Sequence, residues 1–163
     1  MVHLIRMLSK SPEATRDLGR KLGKAVVSGD VVALVGDLGS GKSVLARGIL
    51  EALGVKGDMP SPSFVIVASY EAPIAVNHID LYRLEDAAQA LDVGVEDLLY
   101  SDCISVVEWA DRLGDSLPPG CIQVGIEAVG EREHRLISIK TAAPEVKARL
   151  ADLAASLVRF GMQ

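Results

Sequence analysis

Apolar residues recur along this chain in two rhythms and in short unbroken runs, and each pattern predicts a different element. Leu18, Leu22 and Ala25/Val26 follow Ser11-Pro12-Glu13 at helical spacing. That start supplies a hydroxyl cap, a proline at the first helical position and an acid. The helix should end where Ser28-Gly29-Asp30 breaks the pattern. Val31 to Val35 is short and continuously apolar, which suits a strand covered on both faces. Leu45, Ile49 and Leu53 then recur every four residues and Gly54 closes a second helix.

Phe64 to Tyr70 and Ala75 to Tyr82 read as β-rich segments parted by Glu71-Ala72-Pro73. Glu85 to Leu91 and Val95 to Tyr100 read as short helices, and Ile104 to Val107 as a second buried strand. Cys121 to Val129 and Arg135 to Lys140 flank Gly130-Glu131-Arg132-Glu133, which predicts a hairpin. Pro144 to Phe160 is a final amphipathic helix with Leu150, Leu153, Leu157 and Val158 on one side. No repeat, low-complexity tract or linker interrupts the chain, so one domain over residues 1–163 is expected. Early alternation of strand and helix predicts an α/β fold with a parallel centre, and the late hairpin adds antiparallel strands at an edge.

Composition narrows the class. A chain of 163 residues with 49% hydrophobic and 24% charged residues is globular rather than disordered. Only 4% of residues are aromatic, so the core must be aliphatic. The formal charge of -5 argues against gripping nucleic acid through a broad basic face, while leaving open work on RNA through partners. Cys103 and Cys121 have no metal-site spacing and read as small buried apolar residues. The N-terminus lacks an apolar signal core, and nowhere do about 18 apolar residues run together. A cytoplasmic protein with no membrane association is expected.

Gly36-Asp37-Leu38-Gly39-Ser40-Gly41-Lys42-Ser43 fits the phosphate-loop pattern G-x-x-x-x-G-K-[ST]. The glycines let backbone N–H groups turn around phosphate oxygens where a Cβ would block the approach. A helix beginning near Lys42 aims its positive end at the same place. Lys42 should reach the β/γ-phosphates and Ser43 should offer its hydroxyl to Mg²⁺. All eight residues are therefore candidate nucleotide contacts, and the expected fold becomes P-loop NTPase-like, a central parallel sheet with antiparallel edge strands flanked by helices.

Two acids compete for the metal side of such a site. Glu108 ends an apolar run, where an acid at a strand tip can meet Mg²⁺ or its water; Asp80 lies in the more alternating Asn77-His78-Ile79-Asp80-Leu81-Tyr82-Arg83. Asn77 to Asp80 is close to the guanine motif N-K-x-D, and Asp111-Arg112-Leu113-Gly114 matches D-x-x-G, but their order is reversed and His replaces the lysine. A GTPase is rejected. Strand alternation turns Trp109 away from a site containing Glu108, unless the strand stops there. Trp109 is thus either a core anchor or a partner or nucleotide contact. His78 reads as structural, hydrogen-bonded to a neighbouring acid. Arg132 and Arg135 flank the hairpin, placed either to reach a phosphate or to be simply solvated.

The phosphate loop, Ser61-Pro62-Ser63-Phe64, His78-Ile79-Asp80-Leu81-Tyr82-Arg83-Leu84 and Val107-Glu108-Trp109 occur in that order. Together they resemble the TsaE family, the bacterial ATPases of tRNA threonylcarbamoyladenosine biosynthesis, from about Thr15 to the late hairpin. The resemblance implies ATP and Mg²⁺ as ligands, and TsaD and TsaB as protein partners that modify the adenosine beside the tRNA anticodon. It implies Lys42 on phosphate, Ser43 and Glu108 at Mg²⁺, Asp80 in hydrolysis and Trp109 in activity. It also implies Ser63 in a switch loop and Thr15 near the nucleotide base. Ser43 and Ser63 stand where the family often has Thr, and both keep the hydroxyl. A small-molecule kinase of shikimate-kinase-like size is the alternative, against which the chain shows no arginine-rich lid. A nucleotide-gated interaction module without turnover is a third reading.

Overall fold

The computed structural model describes residues 2–60 and 66–159, so the Ser61–Phe64 signature, Ser63 included, lies outside the described residues. Seven strands form one sheet in the order β1-β7-β6-β2-β5-β4-β3. They are β1 (Val2–Ser9), β2 (Val31–Val35), β3 (Val67–Tyr70), β4 (Val76–Asp80), β5 (Ile104–Glu108), β6 (Ile122–Ala128) and β7 (Arg135–Thr141). The centre, β6-β2-β5-β4, is parallel, while β1, β7 and β3 pair antiparallel at the two sides. This is the expected α/β architecture of parallel centre and antiparallel edges.

Helix α1 (Pro12–Ala25) begins as the sequence anticipates: Ser11 caps it, its side chain accepting from the Ala14 N–H, and Pro12 opens the first turn. Helix α2 (Lys42–Ala52) starts at the end of the phosphate loop, and Gly54 follows its C-cap in the left-handed region. Helices α3 (Ala87–Asp92) and α4 (Val95–Leu99) are both short. Asp86 lies outside α3 and caps it, so that helix starts two residues later than its pattern suggests. Helix α5 (Pro144–Arg159) buries Leu150, Leu153 and Leu157.

Alternate side chains of β2 divide the core. Val32 and Leu34 face α1, α2 and α5, packing with Leu18, Leu22, Leu45, Ile49 and Leu150. Val31 and Ala33 face the other layer, with Ile79, Val95, Leu99, Val107 and Leu113. Both faces are covered, which is why β2 reads as a continuous apolar run. Cys121 is buried as expected, whereas Cys103 is only half-buried.

Strand β1 has no counterpart among the elements the sequence predicts. Its buried Ile5, Met7 and Ser9 alternate around the exposed Arg6, a two-residue period that marks a half-covered strand. Because β1 takes the edge, the β6–β7 hairpin is enclosed between β1 and β2. Register then decides the location of the site. Leu34 and Asp80 both lie opposite Glu108, so the carboxyl ends of β2, β4 and β5 meet at one rim of the sheet. Open α/β sheets bind their ligands in the crevice outside those ends.

Candidate nucleotide site at the carboxyl ends of the parallel strands

The chain leaves β2 at Gly36, where an added Cβ would lie 2.4 Å from the Ile126 carbonyl oxygen. Gly39 and Gly41 follow with φ of +76° and +105°, which glycine adopts without steric cost. The Ser40 N–H closes a turn on the Asp37 carbonyl at 3.1 Å, and Leu38 projects into solvent. Lys42 is buried, and its ammonium donates to the Gly36 carbonyl at 2.5 Å and the Asp37 carbonyl at 2.8 Å. Burial lowers the Lys42 pKa, an effect opposed by the nearby Glu108 carboxylate first and by Asp111, Asp80 and Asp37 after it.

Glu108 closes β5 and is only 2% exposed. Its Oε2 accepts from Ser43 Oγ at 2.8 Å, and its Oε1 lies 2.8 Å from His78 Nε2. A carboxylate can only accept, so the His78 proton sits on Nε2. His78 is structural in the sense the sequence suggests, but the acid it meets is Glu108 on the next strand rather than its sequence neighbour Asp80. Asp80 is buried at the end of β4, and its Oδ1 accepts from the Tyr82 N–H at 2.9 Å.

The strand does stop at Glu108. Trp109 has φ 58° and ψ 39°, a left-handed turn that reverses the alternation and brings its ring to the same side as Glu108. The Lys42 ammonium stands 4.0 Å from the ring centroid, the Arg112 guanidinium 5.6 Å away, and the Tyr82 ring 5.0 Å away. A cation this close to an indole face is attracted by the ring quadrupole. Lys42, Ser43, Asp80, Glu108 and Trp109 therefore line one cleft of about 530 Å³, together with Leu38, Tyr82 and Arg83.

Thr15 lies on the opposite side of the phosphate loop. It is buried, shares a 2.7 Å hydrogen bond with Ser9 Oγ, and lines a second cavity of about 270 Å³ with Gly39, Gly41, Val44, Arg132 and Arg135. Arg135 is neither turned into the phosphate position nor merely solvated. It donates to the carbonyls of Ser40 and Gly39 at 2.8 and 3.2 Å. Those contacts join residues 95 and 96 positions apart, a separation no local sequence signal spans.

The Ser43 and Glu108 oxygens form a hard donor pair, and Mg²⁺ typically takes one or two protein ligands and completes its shell with phosphate and water. No group of three or more His, Cys, Asp or Glu able to hold a metal ion occurs among the described residues. The hard oxygen donors of Ser43 and Glu108 suit a cation such as Mg²⁺ that takes few protein ligands.

Residues 9–137 match the family model described as threonylcarbamoyl adenosine biosynthesis protein TsaE. The chain is 39% identical over 121 residues to the tRNA threonylcarbamoyladenosine biosynthesis protein TsaE of Streptomyces coelicolor, covering 71% of this chain and 81% of that one. It is 30% identical over 131 residues to the TsaE protein of Treponema pallidum, covering 79% of this chain and 97% of that one. The crystal structure of Bacillus subtilis YdiB superposes with a TM-score of 0.79 at 24% identity, over 93% of this chain and 95% of that one, and shows the shared fold. With the phosphate loop, the Asp80 segment and the Glu108-Trp109 pair gathered at one rim, the chain belongs to the TsaE family of tRNA threonylcarbamoyladenosine biosynthesis.

Proposed function

We propose that this chain is a Mg²⁺-dependent ATPase, a single P-loop domain over residues 1–163 that works in the cytoplasm with TsaD and TsaB. In that complex it supports threonylcarbamoylation of the adenosine beside the tRNA anticodon. One observation carries the reading: a phosphate loop, the hydroxyl of Ser43 bonded to the buried Glu108 carboxylate and a second buried acid, Asp80, share a single cleft.

Each residue has a task that its geometry allows. Lys42 lies at the first turn of α2, so its ammonium and the helix N-terminus place positive charge at one point. Ser43 and Glu108 would hold Mg²⁺, which when bound supplies charge neutralisation for the β- and γ-phosphates. The His78 N–H occupies one Glu108 oxygen and leaves the other directed at Ser43. Asp80, one strand away from Glu108, is placed to orient a water or take its proton. Trp109 covers Lys42 and shields the cleft floor. The nucleotide base would enter the second cavity, which Thr15 lines.

The purified chain should hydrolyse ATP weakly and faster when TsaD and TsaB are added. Asp80→Ala should keep ATP binding by calorimetry while turnover falls about a hundredfold. Hydrolysis indifferent to the partners, or an Asp80→Ala enzyme as fast as the wild type, contradicts the reading.

A further inference from the structure

We propose that Arg135 is a positioning residue that sets the backbone of the phosphate loop from outside, without touching phosphate. Every nitrogen of its guanidinium is engaged with a backbone carbonyl. Nε donates to Ser40 at 2.8 Å and one terminal nitrogen to Gly39 at 3.2 Å. The other terminal nitrogen donates to Arg132 at 2.8 Å and to His134 at 2.9 Å. Two carbonyls belong to the phosphate loop and two to the β6–β7 turn. The side chain therefore bolts one to the other through a planar fork that only arginine provides.

The direction of these bonds gives them their consequence. A trans peptide holds its C=O and the following N–H on opposite sides. When the Ser40 carbonyl turns to Arg135, the Gly41 N–H turns the other way, away from the arginine. Gly39 and Gly41 on either side have positive φ, and an added Cβ at Gly39 would meet no heavy atom within 4 Å. The loop thus has little side-chain packing to fix it at this point, and glycine carries the largest conformational freedom of any residue. Arg135 restrains that freedom, and its position at the start of β7, paired with Ser9 on β1 and Ala128 on β6, makes the anchor rigid. The proposal rests on the nucleotide reading of the site, and it assigns the late hairpin a role in that reading.

Calorimetry with ADP and with ATP analogue tests the proposal on wild type, Arg135→Ala and Arg135→Lys, beside thermal unfolding and hydrogen exchange of the Gly36–Ser43 peptide. Arg135→Ala should bind both nucleotides about tenfold more weakly, since hydrogen bonds to a charged group contribute on the order of one factor of ten or more. Loop amides should exchange faster with no nucleotide present. Arg135→Lys should not restore affinity, while millimolar guanidinium added to Arg135→Ala should, and methylammonium should not. A loss confined to the ATP analogue would show direct γ-phosphate contact and overturn the positioning role. Wild-type affinity in Arg135→Ala would do the same while leaving the nucleotide reading intact. A wild type that binds neither nucleotide sinks the nucleotide reading itself; unchanged loop exchange in Arg135→Ala would then sink the positioning role separately. Should Arg135→Ala unfold below assay temperature, the Arg135→Lys variant and its loop exchange decide the matter: wild-type values overturn the proposal.

Discussion

A methyl group added at Gly36 would sit 2.4 Å from the Ile126 carbonyl oxygen and 2.6 Å from Ser40 Oγ, closer than any real contact, so the sheet or the loop has to move. Gly39 differs: nothing lies within 4 Å of its added Cβ, and only its φ of +76° resists a side chain. Overpacking against backbone typically costs about 2 kcal/mol, whereas the left-handed penalty alone is about 1 kcal/mol. Gly36→Ala should therefore lose more stability than Gly39→Ala in urea unfolding, and the reverse order would contradict these contacts. At this scale the sequence is informative where chemistry demands a residue type. Lys42, Ser43 and Glu108 are identifiable because their spacing or strand-end position has a physical reason. The side of the strand that Trp109 takes is not, because it depends on a left-handed turn that an indole-bearing residue rarely adopts. The partners of Arg135 are equally hidden, since they are carbonyls and carbonyls have no sequence signature.

Between elements, glycines permit a close helix crossing. Helices α1 and α2 cross backbone to backbone: a Cβ at Gly48 would lie 2.1 Å from the Arg16 carbonyl oxygen, and one at Gly19 would lie 2.3 Å from that of Leu45. Arg16 and Arg20 of α1 reach over to Glu51 of α2 and clasp the same crossing. Helix propensity alone favours alanine over glycine by about 1 kcal/mol. Overpacking of two backbones outweighs it, so Gly48→Ala should destabilise by about 2 kcal/mol net and lower Tm by about 5 °C. A raised Tm would mean that propensity dominates and the helices do not touch there. The elements legible in the sequence are those with local signals, such as the Ser11 cap, the doubly covered β2 and the loop before α2. Strand β1 and the enclosed place of the β6–β7 hairpin were not, because sheet order is decided by pairing between distant segments, and a strand's own pattern does not name its neighbour. The glycine crossing had a sequence trace in Gly19, Gly23 and Gly48 inside helical patterns, where a conformationally costly residue signals close packing.

Across the whole molecule, the charge of -5 is unevenly distributed. From Leu84 to Asp111 the chain carries eight of its 22 acids and no lysine or arginine, leaving 14 acids against 17 bases elsewhere. Seven of those eight are exposed, and six of them, Glu85, Asp86, Asp92, Glu96, Asp97 and Asp102, lie in or beside α3 and α4. A polyanion approaching the cleft from that side meets like charge. On the other side, several of the basic groups are already committed within the fold: Arg16 and Arg20 to Glu51, Arg149 to Asp30, and Arg135 to the phosphate loop. Affinity for RNA without sequence readout comes from neutralising phosphates with uncommitted lysines and arginines, and it appears as a steep salt dependence. This chain should accordingly produce no saturable rise in the fluorescence anisotropy of labelled tRNA up to about 10 μM at physiological salt, and lowering the salt should recover little. On the proposed function, the RNA contacts would belong to TsaD and TsaB rather than to this chain. Tight, salt-steep binding by the chain alone would overturn that division of labour.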